Sequence, residues 1–408
     1  VKELPIIIAG AGIAGLSAAL AVGRSGRKVL VLEKAPALTE IGAGLQLSPN
    51  ASGHLERWGV LARLKGAELA PEAVVIRRGR DATVLARLPL ADAEKRWGAP
   101  YLVAHRADLQ QALRAAVAEV PGIELRLGIA VAGFAADEDK VAVGAKHGIT
   151  RLRFDGVALI GADGLWSEVR QRLAFSGDAP PRPARRTAWR ATIARVELPD
   201  EFAAPQVNLW LGRRAHLVHY PLRGGTEVNV VAIAEDADPS GESPEFWSER
   251  RDSKLLHKAF ARWHPTARAL LSATADWRSW PLYDRAPLAS WSAGRVTLAG
   301  DAAHPMLPFS AQGAAQAIED AAALESALAA EADIAAAFKA YDAARSARAA
   351  RIQVASRRQG DIYHMAGPAS FARDTVMRVL GPRRMLARQD WIYRDTGLAS
   401  QTRSERLS

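Results

Sequence analysis

The sequence predicts an α/β fold: a parallel-sheet domain split in two, a β-rich domain inserted between its halves, and helices towards the C-terminal end. Three observations predict it. A short apolar run, "IIIAGAGIAGLSAAL" at residues 6–20, is interrupted by Gly10, Gly12 and Gly15. A second strand–turn–helix pattern, "RVTLAGDAAHPMLPFSAQGAAQAIEDA", arrives only at residue 295. Between them, from about 183 to 285, the chain changes to successive short strands with turns at "LGRRA" and "RGG".

The elements support this in order. Length alone would let the first apolar run cross a membrane, but its glycine spacing argues for a nucleotide-binding turn. Pro5–Ala9 reads as a buried strand, "LSAALAVGRSG" as a helix ending at Gly26, and "KVLVLEK" (28–34) as a second buried strand. In such a Rossmann-like unit the first glycine makes the tight turn. The second admits a pyrophosphate, and the third lets helix and strand pack closely. Exposed N–H groups at the helix start favour phosphate. Glu33 closes the second strand about 20 residues on, where a carboxylate accepts hydrogen bonds from a ribose. Gly10, Gly12, Ala14, Gly15, Glu33 and Lys34 are therefore expected at an adenine-dinucleotide site.

Residues 41–59 give a glycine-rich turn, an extended piece and a helix from about Asn50. Three stretches within 72–103 alternate like strands and are expected to contribute to the inserted domain; 106–120 is an amphipathic helix. Short strands follow to 161. In the inserted domain "TAWRATIARV", "PQVNLWLG", "AHLVHYPL" and "TEVNVVAIA" are strands, and 244–265 is expected to be helical. Strand, turn and long helix return over 295–328, and alanine- and arginine-rich helices fill 333–363 and about 368–389. The expected division is 1–180 and 286–330 for the dinucleotide domain, 181–285 for the β-rich domain, and 331–408 for the helical region.

With 408 residues and 49% hydrophobic content the chain can bury a large core. It contains no cysteine, which excludes disulfides, thiolate metal sites and every thiol mechanism, the paired-cysteine redox centre included. No metal site is expected. The net charge of +10 is scattered, which favours a surface attracting anionic substrates over nucleic-acid binding. No other apolar stretch approaches membrane length, and no secretory signal is recognised. The expectation is a cytoplasmic protein without a membrane span, monomeric or homodimeric.

Three motifs stand in order: the opening glycines with Glu33, "GADGLWSEVR" (161–170) with Asp163-Gly164, and Gly300-Asp301 with His304-Pro305. In that order and at those separations the chain resembles the class A flavoprotein aromatic hydroxylases, which share the fold of 4-hydroxybenzoate hydroxylase. The resemblance runs from about residue 5 to about 360. Through "HRADLQQAL", "HLVHYPL" and "AQGAAQAIEDA" it is similar above all to the salicylate, 3-hydroxybenzoate and 6-hydroxynicotinate hydroxylases. It implies non-covalent FAD, NADH or NADPH as a transient co-substrate, and hydroxylation of a small phenolic aromatic acid by O2 through a flavin C4a-hydroperoxide. No second complete GxGxxG occurs, which fits a nicotinamide cofactor that only visits.

The resemblance also places residues. Asp163 and Gly164 match its second fingerprint, although "DG" alone is a common turn. Gly44, Leu45 and Arg106 match positions near the flavin's sugar and phosphate. Asp301, ending a buried strand, can accept from a ribityl hydroxyl; alternatively it is a turn or capping residue. Pro308 precedes a helix expected to hold Ser310–Gly313 in its first turn, where free N–H groups favour the negative charge of a reduced flavin. Gly313 and Ala314 are expected beside the ring. On the substrate side, alternation in a strand puts His216, Val218 and Tyr220 on one face and His219 on the other. The related enzymes keep a His and a Tyr at this spacing in the aromatic pocket, so His216 and Tyr220 are expected to be catalytic, with His216 accepting or relaying a phenolic proton and Gln312 helping to fix the substrate from the helix side. Ser310 and Gln316 depart from the family pattern and leave the substrate open. Two other readings share these motifs: a non-oxygenating flavin reductase of the same fold, and a non-enzymatic flavin-binding regulatory protein.

Overall fold

Strand β1 (Ile6–Ala9) is apolar, β-branched and buried throughout; helix α1 (Ile13–Arg24) follows the glycine turn, and β2 (Val29–Glu33) pairs with β1 in parallel. This computed structural model describes residues 3–38, 43–235 and 252–394. Next come β3 (Gly44–Leu47), β4 (Ala73–Arg78), β5 (Val84–Pro89) and β6 (Leu102–His105). Helix α2 (Arg106–Ala118) leads to β7 (Ile123–Leu127). A three-stranded antiparallel flap, β8 (Ala130–Ala136), β9 (Val141–His147) and β10 (Thr150–Gly156), precedes β11 (Ala158–Gly161).

The chain then builds β12 (Arg182–Ala194), β13 (Gln206–Gly212), β14 (Ala215–Leu222), β15 (Glu227–Glu235) and β16 (Arg278–Asp284). It returns through β17 (Ser292–Ala293) and β18 (Val296–Leu298) to three long helices. These are α3 (Gly313–Ala330), α4 (Ile334–Tyr363) and α5 (Gly367–Ala387). The first sheet has the order β17-β18-β11-β1-β2-β7 and is parallel except at β17. Its strands come from both sides of the second sheet in sequence. The second runs β16-β12-β15-β14-β13-β4-β5, antiparallel except where β13 meets β4.

Packing follows from residue size. Ala18, Ala19 and Ala21 of α1 are buried, as are Ala315, Ala317 and Ala321 of α3, so the two helices lie close together, with α1 against the first sheet. Each fully buried isoleucine of β1 contributes about 1.5–3 kcal/mol. The far face of the second sheet carries Trp189 and Trp210 into a cluster with Phe260, Trp263 and Trp277. Its near face is left for the site.

Several expectations are corrected. Of the three strand-like stretches in 72–103, β4 and β5 join the second sheet, but β6 pairs with β3 instead. The helix expected over 244–265 lies partly outside the described residues; within them, a helix at Ser253–Ala259 stops and a new one starts at Pro265. His264 accepts from Thr266 N–H, and Pro265 suits the first helical position, so "HP" opens a helix rather than closing one. Helix α5 is kinked at Gly381-Pro382. Among the described residues no helix is long and apolar enough to cross a membrane.

Candidate active site

The opening turn has the geometry its glycines require. Gly10 has φ +98°, and a Cβ there would stand 2.5 Å from the Ala162 carbonyl oxygen. A Cβ on Gly15 would run into the carbonyl of Gly10, whereas one on Gly12 would meet only open space. Gly12 therefore faces a groove, and α1 starts there with no side-chain cap on its N–H groups. Glu33 accepts from Ala11 N–H at 2.7 Å and from Ala35 N–H at 2.8 Å, which fixes the carboxylate beneath the turn.

Two hollows meet at this turn. One is lined by Gly10, Glu33, Lys34, Asp163 and Trp166, and it shares Gly12, Ala162 and Gly164 with the other. The second cleft runs past Ala14, Gly44, Leu45 and Arg106 to Asp301, Pro308, Gly313 and Ala314. Every expected cofactor residue except Gly15 lines this continuous groove, and Gly15 shapes it through packing. Asp163 also caps the following helix, accepting from Ser167 Oγ at 2.5 Å and Val169 N–H at 3.1 Å.

Asp301 is brought between two helix N-termini. Gly300 has φ +60° and lies so close to α1 that a Cβ would be 2.6 Å from that of Ala14; on the other side Asp301 Oδ1 adjoins Gly313. The turn is locked from behind by Asp320, which accepts from Gly300 N–H at 2.9 Å, His304 Nε2 at 2.6 Å and Arg345 Nε at 2.9 Å. Burial raises the Asp320 pKa, but His304 and Arg345 outweigh it and bring the group to about 2. Asp301 is exposed to the cleft, and partial desolvation by the protein around it raises its pKa, opposed by His304 and Arg106.

The start of α3 differs from expectation. Pro308–Ser310 is a separate 3-10 turn, Ala311 takes φ +52°, and the helix begins at Gly313. Gln312 thus becomes the residue before the helix, and its side chain turns away from the cleft. Its amide donates to Ser48 Oγ at 2.8 Å, and its carbonyl accepts from Asn50 at 3.1 Å and Gln316 at 3.3 Å. Gln316 belongs to the same buried cluster with Glu319 and Arg345, and neither it nor Ser310 lines the cleft. The first N–H groups of α3 have no side-chain cap and open towards Ala311, Gly313 and Ala314 at the cleft wall.

The opposite wall is the near face of the second sheet, built as rungs across three strands. His216, Ile233 and Ala188 make one rung; Val218, Val231 and Arg190 the next; Tyr220, Asn229 and Thr192 the third. His216, Val218 and Tyr220 share the cleft face as alternation requires, while His219 packs behind against Phe202 and Trp210. Asn229 Oδ1 accepts from Gly44 N–H at 2.7 Å, tying this wall to the cofactor side. Gly44 has no room for a Cβ because the Tyr220 ring and Asn229 lie against it.

Burial, then the neighbouring His364 and Arg186, lowers the His216 pKa well below its ordinary value, so the ring is neutral at physiological pH. Its Nδ1 lies 2.9 Å from His364 Nε2. Burial raises the Tyr220 phenol, opposed by Arg190 and Gln46. The sequence alone does not single out Arg190. It lies in the cleft with its guanidinium 5.4 Å from the Trp280 ring, its Nε is buried without a partner, and no carboxylate pairs with it among the described residues. Burial, followed by Arg106, lowers its pKa. The one available signal is a single cation inside the apolar strand "TAWRATI".

A glycine-shaped groove with two uncapped helix starts and flanking carboxylates fits an adenine–flavin dinucleotide. The comparisons agree. The family model described as FAD binding domain matches residues 3–358. A 3-hydroxybenzoate 6-hydroxylase of Polaromonas naphthalenivorans is 38% identical over 96% of both chains. A 6-hydroxynicotinate 3-monooxygenase of Bordetella bronchiseptica is 34% identical over 86% of this chain and 90% of its own. The crystal structure of Klebsiella pneumoniae HpxO with FAD and uric acid superposes with TM-score 0.83 at 25% identity, covering 96% and 97%. The chain belongs to this FAD-binding family. It is a class A aromatic hydroxylase, an FAD-dependent monooxygenase, which removes the reductase and non-enzymatic readings.

Proposed function

We propose that this hydroxylase acts on a small aromatic acid carrying both a phenolic hydroxyl and a carboxylate, with NAD(P)H and O2 as co-substrates. The observation that carries this is the pairing of Arg190 and His216 on one face of the second sheet. Two strand spacings and one two-residue step separate their backbones by roughly 12 Å. Both side chains line the same cleft, with the guanidinium 5.4 Å from the Trp280 ring of the neighbouring strand β16. An enclosed guanidinium without a carboxylate partner carries an uncompensated desolvation cost that an anionic substrate relieves. A neutral imidazole beside it accepts a phenolic proton, and phenolate is the better nucleophile towards an electrophilic oxygen.

Bound FAD supplies the reduction by NAD(P)H and the activation of O2. The chain's own residues hold it. Gly10, Gly12, Ala14 and the α1 N-terminus receive the pyrophosphate, with Gly15 keeping the turn tight. Glu33 and Lys34 take the adenosine end, and Arg106, Asp163, Gly164 and Asp301 the middle. Gly44, Leu45, Pro308, Gly313 and Ala314 surround the ring. In this reading the expected domains 1–180 and 286–330 serve FAD and 181–285 with β4 and β5 serves the substrate, while the described part of the helical region, 331–394, closes the site from outside.

The test is His216→Gln. It retains FAD and NAD(P)H-dependent flavin reduction, because neither needs the phenolic proton, while product formation falls by about 10²–10⁴. Product formed per NAD(P)H is measured from pH 6 to 10 with a panel of hydroxybenzoates. The wild type shows no ionisation near 6.5, since His216 stays neutral across the range, and the variant recovers as pH approaches the phenol's own pKa. Wild-type coupling and an unchanged profile in the variant would overturn the assignment.

A further inference from the structure

We infer that the phenolic proton leaves the cleft through a fixed chain, His216–His364–Glu235, supplied jointly by the second sheet and helix α4. The inference rests on the reading of His216 as the group that takes that proton. His216 is 2% exposed and sits on the cleft wall. Its Nδ1 is committed to His364 Nε2 at 2.9 Å, which leaves Nε2 as the ring nitrogen for the cleft. His364 is itself buried, and its Nδ1 stands 3.4 Å from Glu235 Oε1. No hydrogen bond closes that gap, since Nδ1 is buried without a hydrogen-bond partner, so the last transfer requires the two groups to draw closer. The Glu235 side chain is 26% exposed and meets Arg214, itself 70% exposed, at 2.7 Å. The chain therefore starts in the cleft and ends at solvent.

The backbone holds these groups in place. His364 ends α4, and its carbonyl accepts from Arg214 N–H at 3.1 Å, while Glu235 N–H donates to Arg214 O at 2.9 Å. Helix α4 comes near enough because Gly360 lies flat on Phe309, where a Cβ would stand 2.6 Å from the ring. Other groups face the chain. Phe309 and Tyr363 enclose His216, with ring centres 5.4 and 5.3 Å away. Arg186 adds a positive field, moderated by Asp361 at 2.8 Å and by Glu235 at 4.0 Å. Burial first, and then Arg186, brings His364 down to about 4, against the pull of Glu235, so both imidazoles are neutral carriers at working pH.

The transfer balances without any other reactant. The substrate O–H bond breaks and the proton joins His216 Nε2. The Nδ1 proton of His216 passes to His364 Nε2, and the Nδ1 proton of His364 passes to the Glu235 carboxylate. Both rings end in the opposite tautomer. Returning a proton to the product's phenolate oxygen runs the chain backwards and resets them. Neither imidazole needs to accumulate positive charge beside Arg186, which is what a dead-end base in this pocket would have to do.

The experiment follows deprotonation of a bound nitro-substituted hydroxybenzoate by its visible phenolate absorbance. It uses stopped flow and the oxidised, FAD-loaded enzyme without NAD(P)H. His364→Gln keeps the hydrogen-bonding shape but cannot pass the proton on, and Glu235→Gln keeps the fold around His364. Both are expected to slow deprotonation by about 10-fold to 100-fold with flavin content unchanged. Added imidazole is expected to restore the His364→Gln rate in part, and the wild-type solvent isotope effect to show more than one proton in flight. Wild-type rates in both variants, with His216→Gln slow, would remove the relay and leave His216 as a base open to water. A wild-type rate in His216→Gln as well would instead remove the site reading beneath it.

Discussion

Two arginines face α3 from opposite sides and are treated in opposite ways. Behind the helix, the buried Arg345 pairs with Glu319 and Asp320 and also donates to Gln316. Burial opposes its charge, but Glu319 and Asp320 outweigh burial and raise its pKa. In front, at the far wall of the cleft, Arg190 has no carboxylate among the described residues, and enclosure lowers its pKa. The first cluster has its charges met inside the protein and serves to set the Gly300-Asp301 turn. The second leaves a charge for something that is not part of the chain. The same side chain is a structural brace in one place and, in the function proposed above, a binding group in the other, and the partners distinguish the two.

Four experiments probe this contrast. Arg345→Met leaves Glu319 with Arg348 and Asp320 with His304 and Gly300 N–H but removes the cation the two carboxylates share, and is expected to cost about 3–5 kcal/mol of stability. Urea unfolding of the holoenzyme measures it; a loss below about 1 kcal/mol would mean that the cluster is not a brace. Acid gives the next largest effect. Asp320 is held at about 2 when folded, below its ordinary value, so its contribution is complete above pH 4 and disappears as pH falls towards 2. That contribution is about 2 kcal/mol, and Asp320→Asn should flatten the stability profile over that window.

Arg190→Met should behave in the reverse sense from Arg345→Met. Stability holds or rises, while KM for a carboxylated phenol increases about 10-fold and kcat changes less. An equal loss of affinity for phenols lacking the carboxylate would show that Arg190 reads something else. The smallest effect is expected from Glu33→Gln, which keeps the shape but loses charge-assisted bonds to Ala11 and Ala35 N–H. FAD affinity should fall by about 10-fold or less, as read by flavin release on dilution.

The cofactor half is legible in the sequence because its determinants are local. Gly10, Gly12 and Gly15 act through backbone shape within one turn, and Glu33 follows at the end of the next strand. Topology accounts for what the sequence hides. His216 and His364 are 148 residues apart, and nothing in "DIYHMAG" signals a partner on a strand. Arg190 looks like any strand arginine until register places it one rung from His216. Gln312 departs from its expected place for a different reason. One residue in the left-handed region, Ala311, moves the helix start to Gly313 and turns the preceding side chain inward.

The rungs of the second sheet bear on how such an enzyme could change its diet over generations. Val218, Val231 and Ile233 are apolar cleft positions on a rigid grid, with hydrogen-bonded neighbours fixing the backbone beneath each. Exchanging any one of them alters the outline offered to the ring by a methyl or two while the backbone pairing survives. Divergence towards new aromatic acids could therefore proceed by single steps at these positions, each tolerated by the fold and each visible to selection as a shift in which substrate is coupled.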